Sequence, residues 1–82
     1  MTTNFQRKAW AAQALTRFAE VTDGDRLEKL ELDDQQVVLS DLLADLYHYA
    51  DQAGLDFMKA ISEAIFQYDH EVQFLPDEDT QA

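Results

Sequence analysis

Apolar and polar positions alternate along most of this chain with the period of an α-helix. After Thr3, Trp10, Ala14, Phe18 and Val21 recur at helical spacing, with Ala11 and Leu15 beside them. Arg7, Lys8, Gln13 and Arg17 lie off that stripe. Thr3 with Gln6 three residues later has the pattern of a capping box, so a helix is predicted over about residues 4–21. Thr22-Asp23-Gly24-Asp25 then supplies a turn signal. Residues 26–32, RLEKLEL, fit two periods. Leu27 and Leu30 suit one helical turn, and Leu30 and Leu32 suit an extended segment. They read as a connector, with room for a short helical turn, whose leucines close over the core.

The central element is the most strongly patterned. Asp33 is an N-cap candidate with Gln36 at the matching position, and Asp33 and Asp34 put negative charge at the helix's positive end. A helix is predicted over about residues 34–53, stopped by Gly54 in a left-handed conformation. Its apolar stripe comprises Val38, Leu39, Leu42, Leu43, Leu46, Tyr49, Ala50 and Ala53. A stripe that wide faces two neighbours. Asp56 is the N-cap candidate of a third helix over about residues 57–74, with Phe57, Ile61, Ala64, Ile65, Tyr68 and Val72 on its apolar face. Phe66 falls off that face, which hints at a partner surface. Pro76 prevents clean continuation, and PDEDTQA reads as an acidic, disordered tail. The expectation is an all-α three-helix bundle with short connectors, one domain over residues 1–75 and a tail over residues 76–82. Short connections at Gly24 and Gly54 favour antiparallel neighbours.

Composition narrows the function classes. With 46% apolar residues the chain is too hydrophobic to stay disordered, and two Gly and one Pro disfavour a turn-rich β fold. There is no Cys, hence no disulfide, thiolate zinc site or thiol nucleophile. No apolar run follows the early basic residues as in a signal peptide, and none approaches the ~20 residues of a membrane span. A cytoplasmic location is expected.

Charge changes the picture most. Six Lys and Arg against 17 Asp and Glu give a formal charge of −11. Residues 1–17 sum to +3 and residues 18–82 to −14. Such a surface repels nucleic-acid phosphates and anionic lipids, and favours basic protein partners.

Residues 41–71 carry a motif. D-L-L-A-D-L-Y-H-Y-A-D-Q-A-G-L-D-F, followed by A-I-S-E-A-I-F-Q-Y-D-H-E, resembles a group of small, uncharacterised all-α bacterial proteins found on plasmids, phages and other mobile elements. Asp41, Leu42, Leu43, Asp45, Leu46, His48, Asp51, Gly54, Asp56 and Phe57 match that group's pattern, and Tyr49 stands where it usually has Trp. Tyr68-Asp69-His70 replaces its adjacent His-Tyr. The resemblance implies a helical fold and no particular activity. Residues 40–65 are also similar to the helix-turn-helix of MazG-type all-α nucleotide pyrophosphohydrolases. Those enzymes hold magnesium with E-x-x-E on one helix and E-x-x-D on the next. Here the preceding helix has only Glu20, and Asp41 and Asp45 are four apart rather than three.

Asp41, Asp45 and His48, spaced i, i+4, i+7, share one helix face. Two carboxylates and an imidazole are a divalent-metal ligand set, which His70 or Asp69 would complete, and adjacent carboxylates can share a proton for acid–base work. The simpler reading is a solvated face on which His48 has Asp45 and Asp51 as helix neighbours. Like charges four apart cost only about 0.2–0.5 kcal/mol, so no ligand is needed to tolerate them. Tyr47, Tyr49, Tyr68 and Trp10 read as core or interface residues rather than a stacking platform for bases, given the negative charge around the tyrosines. No Gly-rich phosphate loop, nucleophile elbow or Cys/His zinc pattern occurs.

The reading is therefore an acidic helical protein-interaction protein of a mobile element. No catalytic or cofactor-binding residue and no cofactor is assigned, and enzymatic activity is left open. In its sharper form it mimics nucleic-acid charge and blocks a basic protein through Asp41, Asp45, Asp51 and Glu63, without touching nucleic acid or membrane itself. One alternative is a divalent-metal-binding protein or small MazG-like hydrolase using Asp41, Asp45 and His48. The other is a self-associating accessory protein, a homodimer in which the basic first helix of one copy lies on the acidic helices of another.

Overall fold

The computed structural model of the chain describes residues 2–22, 24 and 26–74, with the backbone alone at Phe74. The expected acidic tail and the domain boundary before it lie outside the described residues. Helices α1 (Asn4–Thr22), α2 (Leu32–Ala53) and α3 (Phe57–Phe74) make an all-α chain with three helices, as the periodicity predicts. One 3-10 turn, Leu27–Lys29, sits in the first connection.

Local chemistry sets most helix ends. The Gln6 backbone N–H donates to Thr3 Oγ1 at 3.1 Å, and the Thr3 N–H donates to Gln6 Oε1 at 2.9 Å, a complete capping box. Gly24, with φ +78°, donates to the carbonyls of Ala19 and Glu20 and closes α1. At the end of α2, Gly54 is left-handed (φ 78°, ψ 24°), and both its N–H and that of Leu55 reach back to Ala50 O. Asp56 caps α3, its Oδ1 accepting from the Lys59 N–H at 2.9 Å.

The start of α2 differs from expectation. Asp33 is not the N-cap. The helix begins at Leu32, with Glu31 in the cap position and no side-chain cap bond. The backbone N–H of Gln35 donates to Glu31 O, and its side-chain amide donates to Leu30 O, both at 2.9 Å. These bonds draw the first turn two residues upstream. Asp33 and Asp34 still sit in that turn, where their charge favours the helix. In the connector, Leu27 and Leu30 are half-buried while Leu32 is exposed, so only two of the three leucines close over the chain.

Contacts between the helices cluster at three corners. Leu15 of α1, Leu27, and Gln35 and Leu39 of α2 line one hollow at the first. At the second, Tyr47 of α2 stacks on Phe57 of α3, with ring centroids 4.6 Å apart and planes 18° apart. At the third, Arg7 Nε lies 2.9 Å from Glu71 Oε2, and Asn4 Nδ2 donates to Glu71 O. This third corner shows how open the bundle is. If α3 ran tightly antiparallel along all of α2, Glu71 would lie near the C-terminus of α1, about 22 Å along the helix from Arg7. The smallest extent of the chain is 19 Å, no more than about two helix diameters. The helices frame a flat triangle, and the short connections turn the chain without holding neighbours side by side.

The core is correspondingly small. Among the described residues only Ala19, Val38 and Ala50 are fully buried apolar residues. Leu43 and Leu46, between corners, remain 40% and 44% exposed. The predicted stripe of α1 is also shifted. Ala19 is buried with Leu15 and Phe18 half-buried, while Trp10 and Val21 are 55% and 66% exposed. Trp10 is thus not a core residue of this chain.

Candidate protein-interaction surface

Helical geometry divides α2 into two faces. Val38, Leu42, Ala50 and the partly covered Leu39, Leu43 and Leu46 lie on the inner one. Asp33, Asp41, His48 and Asp51 lie on the other, Asp34 and Asp45 lie at its edge beside Val38, and all six are exposed. From Asp33 to Asp51 this acidic face runs about 27 Å along the axis. The described ion pairs are Arg7–Glu71, Arg17–Glu20 and Arg26–Glu28, so no carboxylate of α2 has a basic partner among the described residues. Each therefore presents its charge to solvent, or to whatever docks there.

Asp41, Asp45 and His48 share this face, as their spacing requires. A metal-holding group needs such side chains to converge on one point. Among the described residues no set of three or more His, Asp or Glu side chains comes together in that way. One turn along a helix puts carboxylates on one side without converging them on a point, and Asp69 and His70 of α3 do not complete a shell. His48 instead borders a shallow depression with Ala44, Tyr47 and Asp51. Glu63 is exposed on α3, on the opposite side of that helix from Ile61 and Ile65.

The aromatic residues fall in two groups. Tyr47 is anchored by its stack on Phe57 yet remains half-exposed. Tyr49, Tyr68 and Phe66 project further, Phe66 to 75% exposure, so the tyrosines are not core residues. Phe66 lies off the apolar face, as its spacing predicts.

The periodicity did not reveal the α1–α3 corner. Asn4, Phe5, Arg7, Lys8, Tyr68 and Glu71 line a groove there. Its pinning pair, Arg7 and Glu71, is separated by most of the chain, and no local pattern links such residues. The corner also occupies Arg7, and of the other α1 cations Arg17 lies 3.9 Å from Glu20 while Lys8 borders the groove.

No helix among the described residues is long and apolar enough to cross a membrane. No family model, curated protein or solved structure matches the chain. The two resemblances therefore stand on their motifs alone.

Proposed function

We propose that this chain is a non-enzymatic protein-interaction protein whose acidic α2 face binds a basic protein partner. The observation that carries this reading is the exposed row of α2 carboxylates, none of which has a basic partner among the described residues. Asp41, Asp45 and Asp51 supply the central contacts, with Glu63 contributing from α3. In its sharper form the protein is a mobile-element inhibitor acting in the cytoplasm. It occupies a nucleic-acid-binding surface by presenting carboxylates where phosphates would sit. Rows of like charge attract a basic surface at long range, so the complex forms fast and weakens steeply with salt.

The test is capture from nuclease-treated bacterial lysate with the tagged protein. A basic partner is expected to bind at about 0.1 M salt and to be released near 1 M, where the screening length falls from about 10 to about 3 Å. Asp41→Asn, Asp45→Asn and Asp51→Asn combined are expected to abolish capture while leaving helicity intact. Capture that persists at high salt, or in the triple variant, would refute the charge-mimic reading. The metal-binding or hydrolase reading of Asp41, Asp45 and His48 has a separate check. A flat calorimetric titration with magnesium, manganese and zinc removes it.

A further inference from the structure

We propose that α3 carries a dimerisation seam, and that its occupant is the outward face of α1 from a second copy of this chain. Met58, Ile61, Ile65, Tyr68 and Val72 are spaced three, four, three and four residues apart, the alternation by which two helices interdigitate. Within one chain this seam is only partly filled, with Tyr68 and Val72 bordering the groove against the first turns of α1. Ile61 is half-buried, but Met58, Ile65, Tyr68 and Val72 are 49–65% exposed. Trp10, Ala14, Arg17 and Val21 repeat the same alternation on the outer side of α1, and Trp10 and Val21 are likewise uncovered. Two helical seams are thus largely uncovered, and the core among the described residues is three side chains, Ala19, Val38 and Ala50.

Charge selects how the seams pair. Asp69 flanks the α3 seam and, unlike Glu71, has no basic partner among the described residues, so pairing α3 with its own copy would bring like charges together. Arg17, 3.9 Å from Glu20, stands within the α1 seam, and α1 carries three basic residues against one acid, whereas α3 carries three acids against Lys59. An α1 seam on a partner's α3 seam therefore joins opposite charges. A two-fold axis makes the contact twice, α1 on the partner's α3 and α3 on the partner's α1. The exposed fractions of these side chains leave roughly 600 Å² per copy to cover, so the pair reaches the ~1,200 Å² lower bound of specific, stable interfaces. A second copy is also always present in stoichiometric amount, as a chain with so small a core requires.

This surface is separate from the acidic α2 face, so the two proposals fail independently. The experiment is sedimentation equilibrium of the full chain with a charge swap across the seam. Arg17 and Asp69 are both exposed, and neither substitution touches the buried residues. Wild type is expected at twice the 9.4 kDa chain mass. Arg17→Asp and Asp69→Arg are each expected to weaken the dimer at least tenfold, and the double variant to restore it. A wild-type monomer at about 100 times the Kd of a typical micromolar complex overturns the proposal. So does a dimer that neither single variant weakens, or single-variant losses that the double variant does not recover. Asp41→Asn with Asp45→Asn leaves the dimer unchanged, which keeps failure here distinct from failure of partner capture.

Discussion

Replacing Gly54 by Ala isolates one backbone term. Gly54 holds φ 78° and ψ 24° at the corner between α2 and α3, where its N–H and that of Leu55 reach back to Ala50 O. A Cβ built there meets nothing within 4 Å, so the substitution introduces no clash. What remains is the cost of a left-handed L-residue, about 1–2 kcal/mol. Against it, Ala restricts the unfolded chain more than Gly and returns about 0.4–1 kcal/mol. The net is a loss of about 1 kcal/mol. For a chain of this size that lowers Tm by about 4–8 °C. The assay is thermal melting followed by helical circular dichroism, at fixed protein concentration because association shifts apparent stability. Gly24→Ala is a matched comparison, since Gly24 has the same φ and equally open surroundings. Gly54→Asn should cost less than Gly54→Ala, because Asn visits the left-handed region more readily. An unchanged or raised Tm in Gly54→Ala would show that the corner relaxes out of the left-handed conformation, and the reasoning would fail.

Two further outcomes test the N-terminal end of α1 and its contact with α3. Thr3→Ala removes the acceptor for the Gln6 N–H and is expected to lower stability by about 1 kcal/mol in urea titration, with Thr3→Ser largely restoring it. Glu71→Gln breaks the 2.9 Å pair with Arg7, which is partly exposed, so the loss is expected at only about 0.5 kcal/mol and should shrink near 1 M salt. A larger, salt-independent loss would mean that the corner is held by packing around Tyr68 and Val72 instead.

Much of the secondary structure was legible because its determinants are local. The Thr3–Gln6 box, the glycines at 24 and 54 and the Asp56 cap each act within a few residues, and a few residues are enough to recognise them. The predicted span of α3 coincides with the observed one for the same reason. The start of α2 lies two residues upstream of the one its cap pattern suggests. Asp33 looks like a cap, but bonds from Gln35 to Leu30 and Glu31 begin the helix earlier.

The face that α1 buries was not legible. Its apolar arc is wide and rich in Ala, so periodicity identifies an arc without choosing its inner edge. The packing partner chose Leu15, Phe18 and Ala19, and left Trp10 and Val21 outside. The chemistry of the α2 acidic face divides the same way. The sequence showed Asp41, Asp45 and His48 to be on one side of one helix, a consequence of 3.6 residues per turn. Whether they converge depends on what a second helix brings across, and among the described residues none supplies the missing ligands. By itself, then, the sequence determined three helices, most of their ends and an acidic face, because each depends on interactions within one or two turns. Only the tertiary structure decided that the helices diverge into a triangle pinned by Arg7 and Glu71, with apolar seams left open. That outcome depends on contacts between residues far apart in the chain, and no local pattern encodes them.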